Sequence, residues 1–252
     1  MTENNKAIVV GLGLVGSIAL KALKEENYHI VGIDIEDNKS DVLNEFYECD
    51  VTKEENVKDV FKDIFKSNPD TRVLINSIGE DVKYNKDAKG FEDLNKQTSK
   101  EFDDALIQGL RTYFNTSKYF VDSLLQQNNE GVILNVASDL SVIAPDHRIY
   151  NKDEIKKYKP AHYSSVKHGV VGLTKYFAST FAPLIRANSL SPSGIYLEHY
   201  EVDFVEKISN TIPMERMLNP EELIESIKFL CNKKNSFLNG HNLVVDGGRT
   251  IW

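Results

Sequence analysis

Ala7-Ile8-Val9-Val10-Gly11-Leu12-Gly13-Leu14-Val15-Gly16-Ser17-Ile18-Ala19-Leu20 is the stretch whose reading sets the fold. A short apolar, β-branched run reads as a buried strand. A Gly-x-Gly-x-x-Gly turn follows it, and residues 17–23 then have helical character. Strand, glycine turn and helix in that order are the context in which this motif binds a dinucleotide. The glycines let the backbone turn tightly and approach a pyrophosphate, whose charge the helix N-terminus stabilises. By itself the motif is equally a glycine-rich turn that binds nothing, so the neighbouring segments decide.

His29-Ile30-Val31-Gly32-Ile33-Asp34 reads as the next strand and ends on an acid 18 residues after Gly16. A carboxylate there accepts hydrogen bonds from a ribose 2′-hydroxyl and repels a 2′-phosphate. No Arg stands in the glycine loop or directly after Asp34 and Ile35. NAD is therefore expected over NADP. Residues 48–52 read as a third strand end leading into a helix over 54–65, and 71–75 as a fourth strand closed by Asn76-Ser77-Ile78-Gly79. Residues 80–100 are polar and irregular, 102–125 have helical periodicity, and 132–136 form a fifth strand followed by Ala137-Ser138-Asp139. A helix over 163–181, a strand over 185–190, a helix over 220–231 and a last strand over 242–245 complete the pattern. This alternation predicts an α/β fold, one doubly wound, Rossmann-like parallel sheet with helices on both faces. Residues 1–252 are expected to form that single domain. Ligands of such sheets bind beyond the carboxyl ends of the strands. Gly11, Asp34, Asp50, Asn76 and Ser138 should therefore share one edge.

Ala161-His162-Tyr163-Ser164-Ser165-Val166-Lys167 places a phenol and an ammonium four residues apart at the start of a predicted helix. Such residues share a helix face. A cation beside a phenol favours the phenolate and lowers its pKa, which makes a usable general acid/base near neutral pH. Alone, the spacing is also that of an exposed aromatic–cation pair.

Together these stretches resemble the short-chain dehydrogenase/reductase family. The resemblance spans nearly the whole chain. It rests on the glycine-rich first turn, Asp50-Val51, Asn76-Ser77-Ile78-Gly79, Ser138, Tyr163 with Lys167, the Pro192–Gly194 turn and the terminal Val245-Asp246-Gly247-Gly248. It implies a cofactor-dependent interconversion of a secondary alcohol and a ketone. Tyr163 would be the general acid/base, Lys167 would lower its pKa and hold the nicotinamide ribose, and Ser138 would hydrogen-bond the reacting oxygen. The cofactor would lie along Gly11, Gly13, Leu14, Val15, Gly16, Asp34, Ile35, Asp50, Val51, Asn76, Ser77 and Ile78. Pro192, Gly194 and Ile195 would cover the nicotinamide. Residues 195–218 would form a substrate lid, and two long central helices would pair copies into a homodimer or homotetramer.

Three features depart from the family pattern. The first turn is one residue short and lacks the usual Thr. Gly109 stands where the family places a proton-relay Asn, with Asn115 a substitute one or two turns on. Residues 139–160 form an insertion between Ser138 and Tyr163. Val142-Ile143-Ala144-Pro145-Asp146 and Lys159-Pro160-Ala161-His162-Tyr163-Ser164 resemble a bacterial subgroup linked to legionaminic-acid and surface-polysaccharide biosynthesis, as does the ending Asp246-Gly247-Gly248-Arg249-Thr250-Ile251-Trp252. A sugar or sugar derivative is the expected substrate. His147, Arg148, Lys152, Lys156 and Lys157 could meet a phosphorylated or acidic sugar, since Arg grips phosphate through a planar fork; a charged loop at a subunit contact is the other reading. Two alternatives stand beside this function. One is a 3-oxoacyl thioester reductase, expected to prefer NADPH, against which Asp34 speaks. The other is a cofactor-binding protein with little turnover, motivated by Gly109.

Composition narrows the partners. The net charge of −8 argues against nucleic acid as a ligand, because phosphate-backbone binding needs a basic surface. The two cysteines have no metal-ligand or disulfide spacing, and no metal site is expected. The N-terminus carries no basic-then-apolar signal and no apolar run is long enough to span a bilayer, so a cytoplasmic protein acting on a small molecule is expected.

Overall fold

A computed structural model of the protein describes residues 5–36, 40–79, 94–151 and 157–252. Among these, seven parallel strands form one sheet: β1 (Lys6–Val10), β2 (His29–Asp34), β3 (Glu45–Glu48), β4 (Thr71–Asn76), β5 (Gly131–Val136), β6 (Ile185–Pro192) and β7 (Asn242–Val245). Their order is β3-β2-β1-β4-β5-β6-β7. The chain runs outward from β1 to β3, then returns to the far side of β1. That reversal opens a crevice at the carboxyl ends of β1 and β4, where open α/β sheets take their ligands.

Both faces of the sheet are covered. Helices α1 (Leu14–Glu25) and α7 (Ile224–Cys231) pack on one side, and α2 (Glu54–Ser67), α4 (Thr112–Gln126) and α5 (Ala161–Thr180) on the other. The central strands accordingly read as apolar runs rather than alternations; residues 7–10 of β1 are all buried. In α2, Val57, Phe61, Ile64 and Phe65 fall on one buried stripe. Each such side chain contributes about 1.5–3 kcal/mol on burial, so the stripe fixes which way the helix faces. Two further helices are α3 (Ser99–Leu106), which packs against α5, and α6 (Val202–Ser209).

Three boundaries differ from the sequence reading. β3 stops at Glu48, so Asp50 and Val51 sit in the turn after it. β6 continues to Pro192, which pairs in register with Val245 of β7. The helical stretch expected over 102–125 begins at Ser99, behind a reciprocal cap between Thr98 and Glu101, and is broken by a π turn, Ile107–Arg111. The break sits where α5 crosses closely. A Cβ on the buried Gly109 would lie 2.5 Å from Val166 Cγ1.

Candidate active site

The glycine turn has the geometry that a close ligand requires. Gly11 has φ +83°, which favours glycine, and a Cβ there would lie 2.6 Å from the Ser77 carbonyl oxygen. A Cβ on Gly16 would lie 2.0 Å from the Gly11 carbonyl oxygen. These two positions close the turn against itself and against β4. Gly13 is different: nothing lies within 4 Å of a Cβ built there. It is the N-cap of α1 and no side chain caps the helix, so the first N–H groups of α1, together with Gly13 itself, Leu14 and Val15, line an open cradle. The missing loop residue and Thr do not prevent that cradle from forming.

Asp34 lies on its rim. Its carboxylate accepts from Leu12 N at 2.6 Å and from Ile35 N at 2.7 Å, while the Ile35 side chain is exposed. Asp50, next along the edge, accepts from Thr52 Oγ1 at 2.6 Å and pairs with Lys53 at 3.2 Å. The Thr52 hydroxyl and the Lys53 ammonium hold its carboxyl below the usual range. Val51 is buried beneath it.

Asn76 ends β4 at this edge. The amide turns into the core, donates to Asn135 Oδ1 at 2.9 Å and Ser117 Oγ at 3.2 Å, and accepts from Thr116 Oγ1 at 2.8 Å. Asn135 continues the chain to Thr174 Oγ1 at 3.0 Å. This satisfied network locks β4, β5, α4 and α5 together. What remains at the edge is the backbone of Ser77 and Ile78, held by Ser77 N to Val10 O at 2.8 Å. The fully buried Tyr113 donates to both Ile78 O and Val136 O at 2.8 Å. It thereby ties the cofactor edge to the strand that carries Ser138.

Ser138 follows β5 and α5 packs against the turn after it. Tyr163 and Lys167 are half-buried on one face of α5, with Lys167 Nζ 5.8 Å from the Tyr163 ring centroid and 3.4 Å from Val136 O. The Ser138 hydroxyl is held on its other side. It donates to Asp139 Oδ1 at 3.0 Å and accepts from Leu140 N at 3.2 Å. Asp139 in turn receives Arg249 Nη1 at 2.7 Å, and both ends of that ion pair are buried. Arg249 reaches back because Asp246 caps the last turn, accepting from Gly248 N at 2.9 Å and Thr250 N at 2.7 Å around a left-handed Gly248. The sequence reading missed Asp139, Arg249 and Tyr113. Asp139 was visible as the neighbour of Ser138; nothing in sequence links Arg249 to it across 110 positions.

Gly194 and Ile195 follow β6 directly. Ile195 joins the core on the α1 side, and a Cβ on Gly194 would lie 2.6 Å from Ile208 Cδ1 of α6. The 195–218 segment closes on itself at its base through Tyr196 N to Leu218 O at 2.8 Å and Leu218 N to Gly194 O at 3.1 Å. Ser193 is buried there and its hydroxyl has no partner among the described residues. The insertion, the lid segment and the C-terminus meet around a cavity of about 390 Å³ lined by Ile143, Ala144, Asp146, Arg148, Asn210, Thr211, Arg249 and Trp252. Arg148 does not present a free fork to it. Its guanidinium is taken by Asp146 at 2.7 Å and the side chain is exposed. Lys152 and Lys156 lie outside the described residues. The relay substitute Asn115 is buried on α4, and its Nδ2 has no partner among the described residues. Burial pushes the Cys49 thiol up to about 11 and the Cys231 thiol up to about 12, so neither is poised as a nucleophile. Among the described residues, no three His, Cys, Asp or Glu gather as metal ligands, and no helix is long and apolar enough to cross a membrane.

A family model described as enoyl-(acyl carrier protein) reductase matches residues 15–250. The chain belongs to the short-chain dehydrogenase/reductase family. It is an oxidoreductase of this NAD(P)-dependent class. A NAD-dependent glycerol dehydrogenase of Listeria innocua is 28% identical over 258 residues, covering 97% of this chain and 93% of that protein. A 3-oxoacyl-(acyl-carrier-protein) reductase of Buchnera aphidicola is 24% identical over 246 residues, with 93% and 92% covered. A short-chain dehydrogenase of Leptospira borgpetersenii, solved with bound NAD+, superposes with a TM-score of 0.86 at 29% identity, over 98% of this chain and 93% of that one. The open space at Gly13, the uncapped start of α1 and the unpartnered Ser193 hydroxyl fit a dinucleotide lying across this short-chain dehydrogenase/reductase edge.

Proposed function

We propose that the protein interconverts a secondary alcohol and a ketone on a sugar or sugar derivative, in surface-polysaccharide metabolism, with NAD preferred over NADP. One observation carries the catalytic reading: Tyr163 and Lys167 share a half-buried face of α5, against the turn that holds Ser138. Tyr163 takes the proton from the carbinol oxygen, or returns it to the carbonyl. Lys167 favours the phenolate and holds the nicotinamide ribose. The Ser138 hydroxyl has its proton on Asp139 and one lone pair on Leu140 N. Turned from Asp139 to the reacting oxygen, that hydroxyl donates to the carbinol or carbonyl oxygen while Tyr163 holds or returns the carbinol proton. The bound nicotinamide supplies hydride transfer; the chain supplies orientation and proton movement. Asp34, already receiving the loop N–H of Leu12 and the N–H of Ile35, takes the adenosine ribose and disfavours a 2′-phosphate.

The substrate class rests on the cavity beside Arg249. Both arginines on its wall are neutralised by Asp146 and Asp139, and Asn210, Thr211 and the Trp252 ring complete it. Neutral polar groups beside an aromatic face suit a polyhydroxylated ligand better than an anion. Phe114 and Tyr176 stand exposed on α4 and α5, which supports pairing of two copies along these helices. The 3-oxoacyl reductase reading keeps the support of the Buchnera relative, and predicts NADPH preference. Low turnover through Gly109 remains the reading of another class. Paired fluorescence titrations with NADH and NADPH separate them: tight NADH and weak NADPH binding are expected, followed by turnover in a sugar screen with NAD that Tyr163→Phe abolishes. Comparable NADPH binding would overturn the cofactor assignment, and turnover retained in Tyr163→Phe would overturn the acid/base assignment.

A further inference from the structure

Tyr163 has two ammonium groups over its ring. Lys167 Nζ stands 5.8 Å from the centroid, and Lys159 Nζ stands closer, at 4.0 Å. Lys159 is 8% exposed. It lies outside α5, which begins at Ala161, and reaches the ring from the approach to the helix. Its backbone is fixed there: Lys159 N donates to His147 Nδ1 at 3.2 Å, and Pro160 O receives Tyr163 N at 3.1 Å. A lysine before a helix N-terminus stands against the helix dipole, and a buried ammonium is costly without compensating contacts. The ring face helps to offset both.

We propose that Lys159 is a positioning residue for Tyr163, a second cation that favours its phenolate alongside Lys167. The inference rests on the acid/base reading of Tyr163. A cation over an aromatic face gains when the ring becomes a phenolate, because the negative charge is delocalised into the ring it faces. Among the described residues, the other charged groups on the elements around the ring have contacts of their own. Asp139 is paired with Arg249, Glu101 holds the Thr98 cap, and Asp104 pairs with Lys100. Arg111 reaches Thr52 O. His147 bonds to the Lys159 backbone, and His162 and Lys157 flank the ring in sequence. Lys159 differs from Lys167 in reaching the ring from the approach to α5 rather than from within the helix, and the ribose contact is assigned to Lys167 alone.

With Nζ 4.0 Å from the ring centroid, a unit charge taken at about 5 Å from the phenolate charge moves the phenol midpoint by about 0.6 pH units in water and about 2.4 at an effective dielectric constant near 20. The test is the tyrosinate absorbance of the whole protein against pH. Subtracting a Y163F titration isolates Tyr163 from the other tyrosines. The same subtraction in the K159Q background is expected to show a midpoint higher by that amount, with K159R restoring it and NADH affinity unchanged. An unmoved midpoint in K159Q overturns the proposal; if K159Q fails to fold, K159M replaces it and an unmoved midpoint there overturns the proposal equally. Because the readout is optical, it holds without turnover. Absence of activity with every sugar would count against the sugar-substrate reading alone. Where turnover is found, the basic limb of kcat/KM for the alcohol should move with the absorbance midpoint in K159Q and return in K159R.

Discussion

Replacing Arg249 with Met tests how the catalytic edge is held. The Asp139 carboxylate is 2% exposed and Arg249 6%, and they meet at 2.7 Å. Removing the guanidinium leaves a buried carboxylate whose remaining side-chain donor, among the described residues, is the Ser138 hydroxyl. Breaking one side of a buried ion pair costs about 3–5 kcal/mol. For a chain of 252 residues, an unfolding entropy of about 2.1 cal/mol/K per residue converts this to a Tm lower by about 6–9 °C. Asp139→Asn with Arg249→Met removes both charges, and the double variant should recover most of that loss, since two neutral side chains of similar volume satisfy such a site nearly as well. Urea unfolding of the wild type, Arg249→Met and the double variant measures these terms. An Arg249→Met variant within about 1 kcal/mol of the wild type, or a double variant no more stable than Arg249→Met, would refute the reasoning. In Arg249→Met the alcohol KM should also rise, because the Ser138 hydroxyl is held by Asp139 and loosens with it.

The two glycines of the first turn should separate binding from folding. Gly13→Ala has room and a φ of −67°, so stability should hold while NADH binds about tenfold or more weakly; Gly16→Ala meets the Gly11 carbonyl at 2.0 Å and should lose about 1–3 kcal/mol of stability. Gly109→Asn should be destabilised by about 1–3 kcal/mol through its clash with Val166, and Val166→Ala should recover it; unfolding midpoints report both. Burial holds His147 below its ordinary value of 6.5. The unfolded chain then binds the extra proton first, so stability falls as pH drops below about 6.5. His147→Gln, which can still accept from Lys159 N, should remove that part of the pH dependence in urea midpoints.

The sheet follows from local pattern. Strand, glycine turn and helix in residues 7–23, the acid ending residues 29–34, and alternating strands and helices to residue 245 are all signals contained in short stretches of sequence. Their periodicity and turn chemistry fall within a few residues, so the parallel order and the edge shared by Gly11, Asp34 and Ser138 followed from them. Tyr163 and Lys167 were legible for the same reason, since one helix face joins them. Which way the other groups turn was settled by tertiary packing. Asn76 has the family's spacing, yet its amide is drawn into the core by Ser117, Thr116 and Asn135. Asp139 finds its partner in Arg249, 110 residues away. The π turn holds Gly109 where Val166 of α5 leaves no room for a Cβ. These are long-range packing and electrostatic choices, set when elements distant in sequence are pressed together and every buried polar group must find a partner.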